Sequence, residues 1–177
     1  MAAMRLFSPA EISCIDGAFC HAERLAEKHF RLVPEDWKQH RYDVKTLADL
    51  EAHEVSETAF AHLCKYHYVK EDDSTVSDFH FYRVCIQDNR ILDAVERGSS
   101  FVKLIPLLLY IATHELTHVI RFNRGESDFD ASLEEKVREE ERVHSITRQI
   151  LKPIADRNLN LIIDCFRDRY QIGDIYN

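Results

Sequence analysis

Between Leu104 and Ile120 the sequence contains no Lys, Arg or Asp and a single Glu, at position 115. Its strictly apolar part, Leu104 to Ala112, falls far short of the roughly 20 residues that cross a bilayer. Extending it to Ile120 would carry His114, Glu115, Thr117 and His118 into hydrocarbon. The stretch therefore reads as a helix buried in a protein core, and the rest of the chain has to surround it. Two histidines and a carboxylate in such surroundings cost free energy unless they are paired or ligated.

The chain has the means to surround such a helix. A length of 177 residues predicts one domain, residues 1–177, that buries a core without disulfides. Hydrophobic residues at 45% and charged ones at 31% are globular proportions and argue against a disordered chain. A net charge of −8 argues against nucleic acid or an anionic membrane surface as partner. The five cysteines, Cys14, Cys20, Cys64, Cys85 and Cys165, are odd in number and include no C-x-x-C pair. With no charged-then-apolar leader at the start, the expectation is reduced thiols in a cytoplasmic protein.

Local signals outline a mostly helical α+β fold of five to six helices. Ser8-Pro9-Ala10-Glu11 is a capping box with proline at the first helical position, opening a helix that runs to about Leu32. Asp43 is placed to cap a second helix carrying Val44, Leu47, Leu50, Val55 and Phe60. Residues 63–70 and 78–86 are rich in Tyr, Phe, Val and Ile around a polar connection, which predicts a β-hairpin before the apolar helix. Asp88 opens a short helix ending at Gly98, and Asn123-Arg124-Gly125 marks the end of the apolar one. Ser132-Leu133-Glu134-Glu135 is a second capping box, and Pro153 stops the helix that follows it. A last amphipathic helix carries Leu159, Ile162, Ile163, Phe166 and Tyr170.

Within the apolar helix lies His114-Glu115-Leu116-Thr117-His118. Helical residues four apart share a face, so His114 and His118 can offer ring nitrogens to one metal ion. Glu115 is rotated by about 100° from His114, which aims it at a water on the metal rather than at the metal itself. A catalytic zinc takes three protein ligands and keeps one open position. The third ligand is expected from the next helix, where Leu133, Val137, Glu140, His144, Thr147 and Leu151 form one stripe and Val143, Ile146, Ile150 and Ile154 widen it. Glu140 falls near the middle of that arc, with Glu141 and Glu139 as the alternatives. His144, one turn on, reads as a partner of the ligands, as a donor to a developing oxyanion, or as a core histidine.

These residues resemble the gluzincin branch of the HExxH zinc metallopeptidases over residues 111–144. The resemblance implies a zincin-like active-site helix packed on a glutamate-bearing helix. It also implies one Zn2+ held by His114, His118 and Glu140, with Glu115 as general base and hydrolysis of peptide bonds in a peptide or protein substrate. The glutamate helix reads Glu139-Glu140-Glu141-Arg142-Val143-His144, without the Asn-Glu-x-x-Ala pattern common in that branch. An edge strand beside the active-site helix is expected at Phe79-His80-Phe81-Tyr82-Arg83-Val84, with Tyr82, His80 or Arg83 facing the oxyanion.

Two other readings use the same letters. Glu115-x-x-His118 and Glu141-x-x-His144 are the paired motif of ferritin-like di-iron bundles, which Glu23 or Glu54 would complete. A non-catalytic zinc-binding module is the other, although a purely structural site has no use for Glu115. His21, His29, His40, His53, His62 and His67 read as solvated or core residues, and Cys64-x-x-His67 lacks a second matching pair.

Overall fold

The computed structural model describes residues 4–72, 75–98 and 101–167. The fold is α+β and mostly helical, with five α-helices and a three-stranded sheet among the described residues. Helix α1 spans Pro9–Phe30, and Ser8 caps it as expected: its hydroxyl accepts from Glu11 N at 3.3 Å, while the Glu11 carboxylate accepts from Ser8 N at 2.7 Å. Ala18, Ala22 and Ala26 are buried on one face, and these small side chains let α1 lie close against the apolar helix.

The helix expected from Asp43 does not form. Strand β1, Tyr42–Lys45, stands there instead, followed by single 3-10 turns at Leu47–Asp49 and Ala52–Glu54. Alternation of side chains explains the difference, because in a strand Tyr42 and Val44 point one way and Asp43 the other. Asp43 is not a cap; its carboxylate accepts from Arg83 Nε and Nη2, both at 3.0 Å. The first turn after β1 is held by Asp88, whose carboxylate accepts from Leu47 N at 2.9 Å and also from Phe7 N, ahead of α1, at 2.8 Å.

The hairpin is present as β2, Ala61–Asp72, and β3, Thr75–Ile86, paired antiparallel with Leu63 opposite Val84. Strand β1 joins the far side of β3 in parallel, Tyr42 opposite Tyr82, so the order is β1-β3-β2. Of the segment expected at an edge, Phe79 to Val84, the part from Tyr82 on is therefore central, while Phe79 to Phe81 has no β1 partner. The open edge on this side belongs to β2, which has no second partner strand among the described residues.

Helix α2, Asp88–Gly98, leads to α3, Leu104–Asn123, in which every residue from Leu107 to Arg121 is buried. Gly125, at φ 69°, turns the chain where a residue with a Cβ would be strained. Helix α4, Leu133–Leu151, starts at the Ser132 cap, whose hydroxyl accepts from Glu135 N at 3.3 Å, and gives way to a 3-10 turn through Pro153. Helix α5, Arg157–Cys165, packs on α3 through Leu159, Ile162 and Ile163. Tyr170, assigned to the last helix, lies outside the described residues. No helix among the described residues is long and apolar enough to cross a membrane.

Candidate metal centre

Helix α3 is enclosed because α1 and α5 pack on it and α4 runs beside it. The polar letters of its sequence must therefore find partners inside the protein, and α4 supplies them. Glu140 Oε1 stands 2.9 Å from His118 Nε2, and Glu140 Oε2 stands 3.2 Å from His114 Nε2. The two Nε2 atoms face each other at 3.2 Å. Ligand atoms about 2.0–2.1 Å from a tetrahedral zinc lie about 3.3 Å from one another, and each of these contacts, the two from Glu140 made by different oxygens, is near that spacing. Among the described residues His114, His118 and Glu140 are one of two groups close enough to hold a cation.

Electrostatics act in the same sense. Burial lowers the pKa of His114, whereas for His118 the Glu140 carboxylate outweighs burial and raises it. The two imidazoles overcome burial at Glu140 and hold its carboxyl far below the usual range. Nδ1 of each histidine is buried with no hydrogen-bond partner among the described residues. Ring packing orients them instead: His118 stacks on Phe122 at 5.5 Å, and His114 lies 4.4 Å from the His144 ring.

Glu115 is 3% exposed and borders the same cavity, of about 350 Å³, as His114, His118 and Glu140. Burial, supported by the Glu140 charge and opposed by His118, pushes its carboxyl up to about 7. A carboxylate poised near neutrality is suited to exchanging protons at physiological pH. The cavity is completed by Ala59, Ala61, His62 and Leu63 from β2 and its approach, Phe122 from α3, and Asp128 and Phe129 from the connection to α4.

His144 does not line this cavity. Its Nδ1 is 2.7 Å from the Tyr110 hydroxyl and its Nε2 is 3.7 Å from Glu140 Oε2, which places it behind the ligands as their partner rather than before a substrate. Tyr82, His80 and Arg83 are also away from the cavity. Tyr82 is buried against Phe122 and Phe129, His80 Nε2 meets Asn123 Oδ1 at 2.8 Å, and Arg83 is committed to Asp43 and Glu54. The di-iron set is not assembled: Glu141 is exposed, Glu54 pairs with Arg83 and Tyr66, and Glu23 accepts from Tyr42.

The stripe expected on α4 is corrected at its first half. Leu133 is 79% exposed and Val137 41%, while Glu139, named above only as an alternative ligand, is buried. Arg121 explains it, donating to Glu139 Oε1 from Nε at 2.5 Å and to Glu126 Oε2 from Nη1 at 2.6 Å. This clamp ties the end of α3 to the connection and to α4 directly beside Glu140. Its signal was present in the sequence, since Arg121 continues the His114 and His118 face at i+7.

No family model matches the chain, and neither a curated protein nor a solved structure matches it.

Proposed function

We propose that the protein is a zinc-dependent hydrolase of the HExxH type that cleaves peptide bonds. The reading rests on one observation: the Nε2 atoms of His114 and His118 and the Glu140 carboxylate converge within 3.2 Å at a cavity that Glu115 also borders. His114, His118 and Glu140 would hold the ion, in the arrangement of a gluzincin active-site helix packed on its glutamate helix. When bound, zinc supplies Lewis acidity and brings the pKa of water towards neutrality.

The protein's own groups carry the rest. Glu115 takes a proton at its carboxylate as water is activated and returns it to the departing amine. His144, held through Nδ1 by Tyr110, stands 3.7 Å from the Glu140 carboxylate and packs against the His114 ring. Phe122, Phe129, Ala61 and Leu63 offer an apolar wall for a substrate side chain. The open edge of β2, whose residues Ala61, His62 and Leu63 line the cavity, suits an extended peptide that pairs by its main chain.

A mixed peptide library incubated with zinc-loaded protein and with Glu115→Gln tests the reading. Cleavage by the wild type that falls about 10²–10⁴-fold in the variant, at unchanged metal content, supports it. Equal cleavage by both proteins refutes the role of Glu115.

A further inference from the structure

A second group of metal-binding side chains lies on the sheet, apart from the HExxH ligands. In the β2–β3 register His62 is opposite Cys85 and Cys64 is opposite Arg83, so His62, Cys64 and Cys85 share one face. Their donor atoms all lie within 4.8 Å of one another. His62 Nδ1 is 4.0 Å from Cys64 Sγ, and the Cys85 thiol donates to the Arg83 carbonyl at 3.7 Å. Nitrogen and sulfur donors about 2.0 and 2.3 Å from a tetrahedral zinc lie about 3.6 Å apart, close to the His62–Cys64 spacing.

The tautomer of His62 is fixed for ligation. Its Nε2–H donates to the Glu54 carbonyl at 2.7 Å, and because a carbonyl only accepts, the proton belongs on Nε2 and the lone pair on Nδ1. A metal-binding histidine is oriented by such a bond from its other nitrogen. The cysteines are not placed for a disulfide, since diagonal neighbours on antiparallel strands have Cα atoms about 7–8 Å apart, beyond the reach of a disulfide. Cys64-x-x-His67 plays no part, because residues three apart on a strand point to opposite faces.

We infer that His62, Cys64 and Cys85 form a second cation site, selective for a thiophilic ion of the zinc class. Two thiolates and a neutral imidazole balance a divalent charge, and binding releases both thiol protons to solvent. His62 also lines the HExxH cavity, so occupancy fixes one of its walls.

Co2+ titration of reduced, metal-free protein tests the inference, because only thiolate ligands give an intense near-ultraviolet sulfur-to-cobalt band and the HExxH ligands contain none. The band is expected in the wild type, whole in Glu140→Gln, and reduced by half or more in Cys64→Ser and in Cys85→Ser. Cys85 is fully buried, so Cys64→Ser, at a half-buried position, keeps the test valid if Cys85→Ser does not fold. A wild type without the band, or a Cys64→Ser protein that keeps it whole, overturns the site.

Discussion

Glu139 and Glu140 are chain neighbours with opposite duties. Glu140 turns to the two histidines, and Glu139 neutralises Arg121, itself only 7% exposed. Removing one partner of a buried ion pair typically costs about 3–5 kcal/mol, because the other charge is left unpaired. Glu139→Ala is therefore expected to lower the urea midpoint strongly while leaving metal content unchanged, and Glu140→Ala to lose the ion. Equal metal loss in both variants would show that the clamp and the ligand had been misassigned. At this scale the sequence was informative about the helix that carries the motif, since four-residue spacing fixes which atoms meet. It was less informative about α4, where three adjacent glutamates differ by rotation alone and the deciding contact, Arg121 to Glu139, is tertiary.

Among the elements, helix ends were legible because their causes are local. Ser8, Ser132, Gly125 and Pro153 each act within a turn of themselves, and each end stands where its signal is. Strand β1 was not legible: four residues alternate too briefly to outweigh a helical spacing of apolar residues, and its parallel partner lies about forty positions on, at Tyr82 to Cys85. The same non-local pairing moved Tyr82 to Val84 from an edge to the centre of the sheet. Apolar periodicity also misplaced Leu133, which shares a stripe with Leu151 yet is 79% exposed. Leu116, fully buried in α3, is expected to cost about 2–5 kcal/mol when changed to Ala. Leu133→Ala is expected to stay within about 0.5 kcal/mol. Chemical denaturation of the two variants measures the contrast, and similar losses would mean that the α4 stripe is buried after all.

For the whole molecule, one buried network joins the sheet to the segment before it. Glu54, fully buried, accepts from Tyr66 and from Arg83 Nη1 at 3.1 Å, and Arg83 reaches on to Asp43. Against burial, the Tyr66 hydroxyl, the Glu51 amide and Arg83 lower the Glu54 carboxyl to about 2. A carboxyl with a depressed folded pKa contributes stability that is complete above its ordinary value of about 4.5 and is lost as pH falls through the folded value. Unfolding free energy is thus expected to decline from about pH 4.5 towards pH 2, and Glu54→Gln to flatten part of that decline. An unaltered acid limb in the variant would remove Glu54 from the explanation.

A bound ion adds stability by mass action, since it binds the folded chain at a site that unfolding disperses. Zinc is accordingly expected to raise the melting temperature of the wild type, with a smaller rise in His118→Ala. The most direct measurement is the zinc content of chelator-washed, zinc-reloaded protein, with His118→Ala and Glu140→Ala beside the wild type. If His114, His118 and Glu140 hold an ion, each variant carries about one zinc per chain fewer than the wild type. Equal zinc in all three proteins would contradict the metal centre and, with it, the hydrolase.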